Sequence, residues 1–356
     1  MPYRVAIIGY GLSAKIFHLP FVLSNPSFKL QAISQRNPTD SNDASKDYPD
    51  ATVYKKPEEV ITDPNVDLVI LCTPPTAHFS QAKLALESAK HVLVEKPFAP
   101  TMAECDELIA IAKKANKLLT VYQNRRWDND FQTLSQLIKS NTLGRIVDFE
   151  SHFDRWDPSA AVNKPSGPQY PGSGAVFDLG THLIDQILFT FGLPQGITGF
   201  IGSQLSPASP AESEDACTVL LHYADGLTAT VKASVVSPEV DQLRFWVRGE
   251  RGSYQKCHLD IQESQLLDGV KVSDANYAVE PEERWGTLNT VDGNKITSRI
   301  HPNVKPATYG GYYSALAKAL DGKGDVPVKA EDARDVIRIV EMAKESSRLR
   351  KTLDVE

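Results

Sequence analysis

The chain has 356 residues, 41% apolar and 23% charged, with a formal net charge of −7. That length holds two domains with ample core, and the acidic balance disfavours nucleic acid or an anionic membrane as a partner, because both reward a basic surface. No apolar run reaches the length of a membrane span, and Cys72, Cys105, Cys217 and Cys257 are scattered without Cys-x-x-Cys, so no metal site and no disulfide framework is expected.

Met1-Pro2-Tyr3-Arg4 leads straight into a strand, so no signal peptide is expected and a reducing cytoplasm is the default location. Strand Val5–Ile8 runs into Gly9-Tyr10-Gly11-Leu12-Ser13-Ala14, a Gly-x-Gly-x-x-Ala turn that opens a helix over about Ser13 to Leu23. Gly9 permits the tight turn and Gly11 lets backbone approach a pyrophosphate. The small Ala14 lets the helix pack near the strand with its amide end facing the phosphates. A glycine turn alone is a weak signal; here both flanks agree, and a second strand follows at Lys29–Ile33.

A polar loop (37–50) and a short strand at Val53-Tyr54 come next, then a helix over Pro57–Ile61 and a continuous apolar strand at Asp67–Cys72. Helix His78–Ala89, strand His91–Glu95, helix Thr101–Ala115 and strand Leu118–Tyr122 complete the series. Thr101 is an N-cap with Glu104 at the capping-box position. Such alternation predicts a doubly wound parallel sheet over residues 1–122.

The rhythm then changes. A helix is expected over Asp128–Ser140, a strand over Arg145–Phe153, a Pro/Ser/Gly-rich loop over 157–174, and a helix from Ala175 to Phe191. Five strand-like segments follow at Ile197–Gln204, Ala216–Tyr223, Leu227–Val235, Gln242–Arg248 and Ser253–His258, with Ala224-Asp225-Gly226 as a hairpin turn. Residues 269–306 show little periodicity and read as loops with short strands. Two helices, Tyr309–Leu320 and Glu331–Leu349, finish the chain. Residues 123–356 therefore form an α+β domain on a large, mostly antiparallel sheet.

The second strand ends Ser34-Gln35-Arg36, without the carboxylate that holds a ribose 2′-hydroxyl in NAD sites. Ser34 can donate to a 2′-phosphate and Arg36 can pair with it as a planar fork, which favours NADP. The alternative is a solvated Arg36 and a site that takes either dinucleotide. Thr73 and Pro74 end the fourth strand, where ligands bind in such sheets. His78 there reads as an ordinary helix-start residue. Glu95 and Lys96 end the next strand, and the lysine can hydrogen-bond a substrate oxygen and favour its anionic form. Lys96-Pro97 is a candidate cis bond. On a helix, Asp178 and His182 are four apart and share a face, where a carboxylate and an imidazole can hold a hydroxyl and take its proton. Taken singly, Lys96 reads as surface, Asp178 as a helix-start residue and His182 as a core histidine.

Together, Gly-x-Gly-x-x-Ala at 9–14, Thr-Pro-Pro at 73–75, Glu-Lys-Pro at 95–97 and Asp-x-x-x-His at 178–182 resemble the Gfo/Idh/MocA oxidoreductase family. The resemblance extends to Val326-Pro327-Val328 and the helix that follows. Phe17-His18, the 122–128 segment and Phe153-Asp154-Arg155 are similar to the NADP-dependent scyllo-inositol dehydrogenase subgroup. It implies a Rossmann domain and hydride exchange between a nicotinamide and a sugar or cyclic polyol such as an inositol. It implies Lys96 as proton assistant and substrate orienter, His182 as general acid/base, and Asp178 as hydroxyl ligand. Asn124, Arg125, Trp127 and Arg155 would border substrate; Trp127 reads equally well as core, and Arg126 is an alternative donor. Tyr170 is a weaker candidate, and Tyr309 and Tyr312 read as packing. Leu12, Ser13 and Glu95 would join the cofactor contacts. Subunits of this family commonly pair through the open sheet face, so a homodimer or homotetramer is expected. The competing readings are a non-catalytic dinucleotide-sensing regulator and a dihydrodiol dehydrogenase-type enzyme on the same fold.

Overall fold

The computed structural model describes residues 1–159, 170–205, 214–305 and 308–356. Residues 160–169 of the expected 157–174 loop, and residue 306, lie outside them. The chain divides into two compact units. The first comprises Met1–Asn124, Gln262–Tyr277 and Thr308–Arg334, the second Arg125–Ile261, Ala278–Ala307 and Asp335–Glu356.

The first unit is built on six parallel strands: β1 (Tyr3–Ile8), β2 (Phe28–Ser34), β3 (Thr52–Tyr54), β4 (Leu68–Leu71), β5 (His91–Val94) and β6 (Leu119–Val121). Their order is β3-β2-β1-β4-β5-β6, so the winding reverses between β1 and β4. Val5–Ile8, Leu68–Leu71 and Val92–Val94 are fully buried, which is why these strands read as unbroken apolar runs. The helices are α1 (Leu19–Ser24), α2 (Ala44–Asp47), α3 (Pro57–Ile61), α4 (Pro75–Glu87) and α5 (Met102–Ala115).

Two boundaries differ from expectation. A π-helical turn, Ala14–His18, precedes α1. α4 starts at Pro75 rather than His78, because proline's fixed φ suits the first helical position. α5 carries the expected capping box, with Thr101 Oγ accepting from Glu104 N–H and the Glu104 carboxylate accepting from Thr101 N–H. Thr101→Ala should cost about 1 kcal/mol in chemical denaturation, the usual worth of such a cap. No measurable change would show that the helix end is held by packing alone.

Later parts of the chain return to this unit as helices Gln262–Leu267 and Tyr309–Leu320. Tyr309 packs on Phe17 and Phe21. Tyr312 packs on Tyr122, with its hydroxyl donating to Val121 O at 3.1 Å. Both are packing tyrosines, as expected.

The second unit is a nine-stranded sheet of β7 (Ile146–Asp154), β8 (Gly196–Gly202), β9 (Ala216–His222), β10 (Thr228–Ser234), β11 (Leu243–Gly249), β12 (Gly252–Cys257), β13 (Gly286–Asp292), β14 (Lys295–His301) and β15 (Leu353–Asp354). The order is β14-β13-β12-β11-β7-β10-β9-β8-β15, antiparallel throughout except for the parallel pair β7 and β10. Its helices are α6 (Asn129–Lys139), α7 (Thr181–Phe191), which continues a π-helical turn at Val176–Gly180, and α8 (Ala330–Leu349), which starts in the first unit.

The 269–306 stretch was expected to be loop with short strands. It contains instead a hairpin, β13–β14, of two seven-residue strands. β14 is exposed along almost its whole length, so no alternation of apolar and polar residues marks it. Among the described residues no helix is long and apolar enough to cross a membrane.

Candidate active site

The carboxyl ends of β1, β2 and β4 enclose a cleft of about 320 Å³. It brings together Gly9, Ser34, Arg36, Thr73 and Pro74 from the expected cofactor set. Gly9 sits at φ +95°, and a Cβ there would lie 2.7 Å from Cys72 O, so the turn itself demands glycine. Gly11 is different: a Cβ on it would meet nothing within 4 Å. The protein leaves that space open, and a pyrophosphate passing over the turn would use it. Leu12 is exposed and Ala14 fully buried.

Among the described residues lining the cleft there is no carboxylate, and Arg36 is the only charged side chain. Arg36 is exposed and makes no ion pair within the described residues. Gln35 follows directly on β2. Its Nε2 donates to Asn42 O at 2.7 Å and its Oε1 accepts from Ala44 N–H at 2.8 Å, so the amide holds the following loop. Asn42, whose buried Oδ1 finds no hydrogen bond among the described residues, also lines the cleft. Gln35 and Asn42 were not singled out from the sequence, where nothing distinguishes them from loop amides. The site fits a dinucleotide: an open glycine cradle at one end, with a hydroxyl and a cation at the end of β2.

His78 is structural, as read from sequence. Its ring nitrogens face Thr73 O at 2.8 Å and Pro97 O at 2.9 Å, joining the turns after β4 and β5, and burial holds its pKa below 6.5. The Lys96-Pro97 bond is cis. Lys96 is half-buried. The Glu95 side chain is engaged inside the unit, accepting from Ser13 Oγ, His18 Nε2 and Lys96 N–H.

In the second unit a cluster forms around the ring of Phe153, near the end of β7. The Arg125 guanidinium lies 4.6 Å from the ring centre, that of Arg155 6.0 Å, and the His182 ring 6.3 Å. Arg155 also approaches Asp178 Oδ2 at 3.8 Å. Asp178 lies in the π-helical turn and His182 in the first turn of α7. Four of the expected substrate residues thus share one locality. Phe153, named from sequence only as part of a resemblance, is its centre. Arg125 is held by Asp128 at 3.2 Å. Arg126 is locked elsewhere, with Nε and Nη2 on Asp185 at 2.8 and 2.7 Å, so it serves the fold. Asn124 is buried, Trp127 half-buried and Tyr170 exposed.

Residues 3–123 match the family described as oxidoreductase, NAD-binding Rossmann fold, and residues 131–255 match the GFO/IDH/MocA C-terminal domain. The chain is 38% identical to the uncharacterized oxidoreductase YdgJ of Escherichia coli (strain K12), over 98% of each chain. It is 32% identical to the scyllo-inositol 2-dehydrogenase (NADP(+)) IolW of Bacillus subtilis (strain 168), over 99% of this chain and 96% of that one. The crystal structure of an oxidoreductase from Bacillus cereus superposes with a TM-score of 0.88 at 27% identity, covering 99% of both chains. The chain therefore belongs to the Gfo/Idh/MocA oxidoreductase family and is an NAD(P)-binding oxidoreductase.

Proposed function

We propose that this protein is an NADP-preferring dehydrogenase or reductase of a sugar or cyclic polyol such as an inositol, with NAD as a weaker cofactor. The Arg125–Arg155–Asp178–His182 group around Phe153 carries the reading. Guanidinium donors bind hydroxyls, an apolar ring suits sugar C–H groups, and a carboxylate with an imidazole suits removal of a hydroxyl proton. In this reading His182 takes the proton from the reacting hydroxyl and returns it in the reverse direction. Asp178 holds that hydroxyl and tunes the imidazole. Lys96 donates to a substrate oxygen and favours its anionic form. The bound nicotinamide supplies the two-electron redox partner. Gly9, Gly11, Ser13 and Ala14 would hold the pyrophosphate, and Ser34 and Arg36 the 2′-phosphate. The name of the IolW relative, an NADP(+) enzyme, favours the same cofactor and substrate class. A cytoplasmic homodimer or homotetramer accords with this function.

The experiment is a panel of inositols, aldoses and ketoses, each with NADP and NAD. Turnover of a polyol or sugar, faster with NADP, supports the proposal. Tight dinucleotide binding without turnover across the panel would point to a sensing protein instead. Arg36→Ala should weaken NADP binding about 10- to 100-fold, the worth of a charge-assisted pair, and leave NAD nearly unchanged. Equal weakening of both would reject the phosphate contact.

A further inference from the structure

Ser13, His18, Glu95 and Tyr313 come from distant parts of the sequence and meet inside the first unit. Glu95 Oε1 accepts from the Ser13 hydroxyl and from His18 Nε2, the latter at 2.8 Å. Glu95 Oε2 accepts from the main-chain N–H of Lys96 at 3.0 Å. His18 Nδ1 meets the Tyr313 hydroxyl at 2.6 Å. His18 and Tyr313 are fully buried, and the Glu95 side chain is only 10% exposed. The Tyr122 ring lies 4.4 Å from that of His18, and Phe21 stacks on Tyr313.

Burying a carboxylate is costly unless donors surround it, and apolar packing of the same volume is often as stable or more so. Stability alone does not account for such a pair. Its connections do. One end of the carboxylate reaches the glycine-rich turn through Ser13, and the other reaches the backbone of Lys96. We infer that Glu95 and His18 are positioning residues whose buried pair fastens the dinucleotide turn to Lys96, so that both hold one geometry when cofactor binds. The inference rests on the role proposed above for Lys96.

The chemistry agrees. Burial pushes the Glu95 carboxyl up, but hydrogen bonds from His18 and Ser13 and the nearby Lys96 charge bring it below its ordinary value. It therefore stays ionised and can accept from all three donors at neutral pH. His18 Nε2 must carry its proton to serve that carboxylate, and Tyr313 occupies the other nitrogen. The other titratable neighbours are Cys72, Tyr122 and Tyr312. Burial pushes Cys72 and Tyr122 well above their ordinary values, so neither competes as an anion.

Glu95→Gln in the full chain is the test. The amide keeps the volume but must turn an NH₂ group toward either the Lys96 N–H or the other donors. NADPH affinity is read by fluorescence titration, and kcat with the best substrate of the panel. NADPH Kd should rise about 10-fold or more and kcat should fall by a similar factor, as expected when a buried charged acceptor is lost. Tyr313→Phe, which removes only the hydroxyl, should shift both in the same direction by less. A merely structural role would reduce the active fraction and leave Kd untouched. Unchanged NADPH Kd in a folded Glu95→Gln overturns the inference; if that variant does not fold, unchanged Kd in Tyr313→Phe does so. Lys96→Ala keeps the two readings apart. Full turnover in it would remove the role of Lys96, while the Kd of Glu95→Gln would still report on the tether.

Discussion

His182→Ala should lower kcat at least ~100-fold, and Lys96→Ala should do the same, while each variant still binds NADPH. That is the scale for removing one group that moves a proton in the transition state. The two side chains belong to different compact units. If they serve one reacting oxygen, their losses are not independent: the double variant should lose little more than the worse single one. Multiplying losses would mean that they act in separate steps or on separate atoms. Near-normal turnover in either single variant would remove that residue from the mechanism. Retained NADPH binding matters as much, because it separates lost chemistry from a damaged fold.

Gly9→Ala and Gly11→Ala should fail in opposite ways. At position 9 a methyl would sit 2.7 Å from Cys72 O with the backbone at φ +95°, so the cost falls on folding. A strained left-handed residue costs roughly 1–3 kcal/mol, and the contact with the β4 turn adds to it. Tm should drop by several degrees with or without cofactor. At position 11 the methyl meets no protein atom within 4 Å, so Tm of the free protein should not change. NADPH affinity should instead fall about 10-fold, the scale of one methyl forced into a close contact. Unaltered affinity in Gly11→Ala would mean that the pyrophosphate does not cross the turn there.

Much of the first unit was legible because its strands are buried on both faces and its turns carry glycine or proline. Val5–Ile8 and Leu68–Leu71 announce themselves in this way. The N-cap at Thr101 was equally plain, since its chemistry is local. What stayed hidden depends on partners far away in sequence. The π-helical turns at Ala14–His18 and Val176–Gly180 leave no spacing signature. β14 shows no alternation because both of its faces meet solvent. In the site, the motifs pointed to Lys96, Asp178 and His182, but not to the ring of Phe153 near the Arg125 and Arg155 guanidinium groups. Gln35 was invisible as a loop organiser, because only its partners Asn42 and Ala44 give it that function.

The first unit is also discontinuous along the chain, closing only with residues 308–334. During synthesis, the nucleotide-binding sheet is translated long before Tyr312 and Tyr313 exist to cover Tyr122, Phe21 and His18. A fragment cut after Asn124 would therefore leave that aromatic patch in water. Excising this module for use in a chimaera would need the tyrosine helix grafted back onto it.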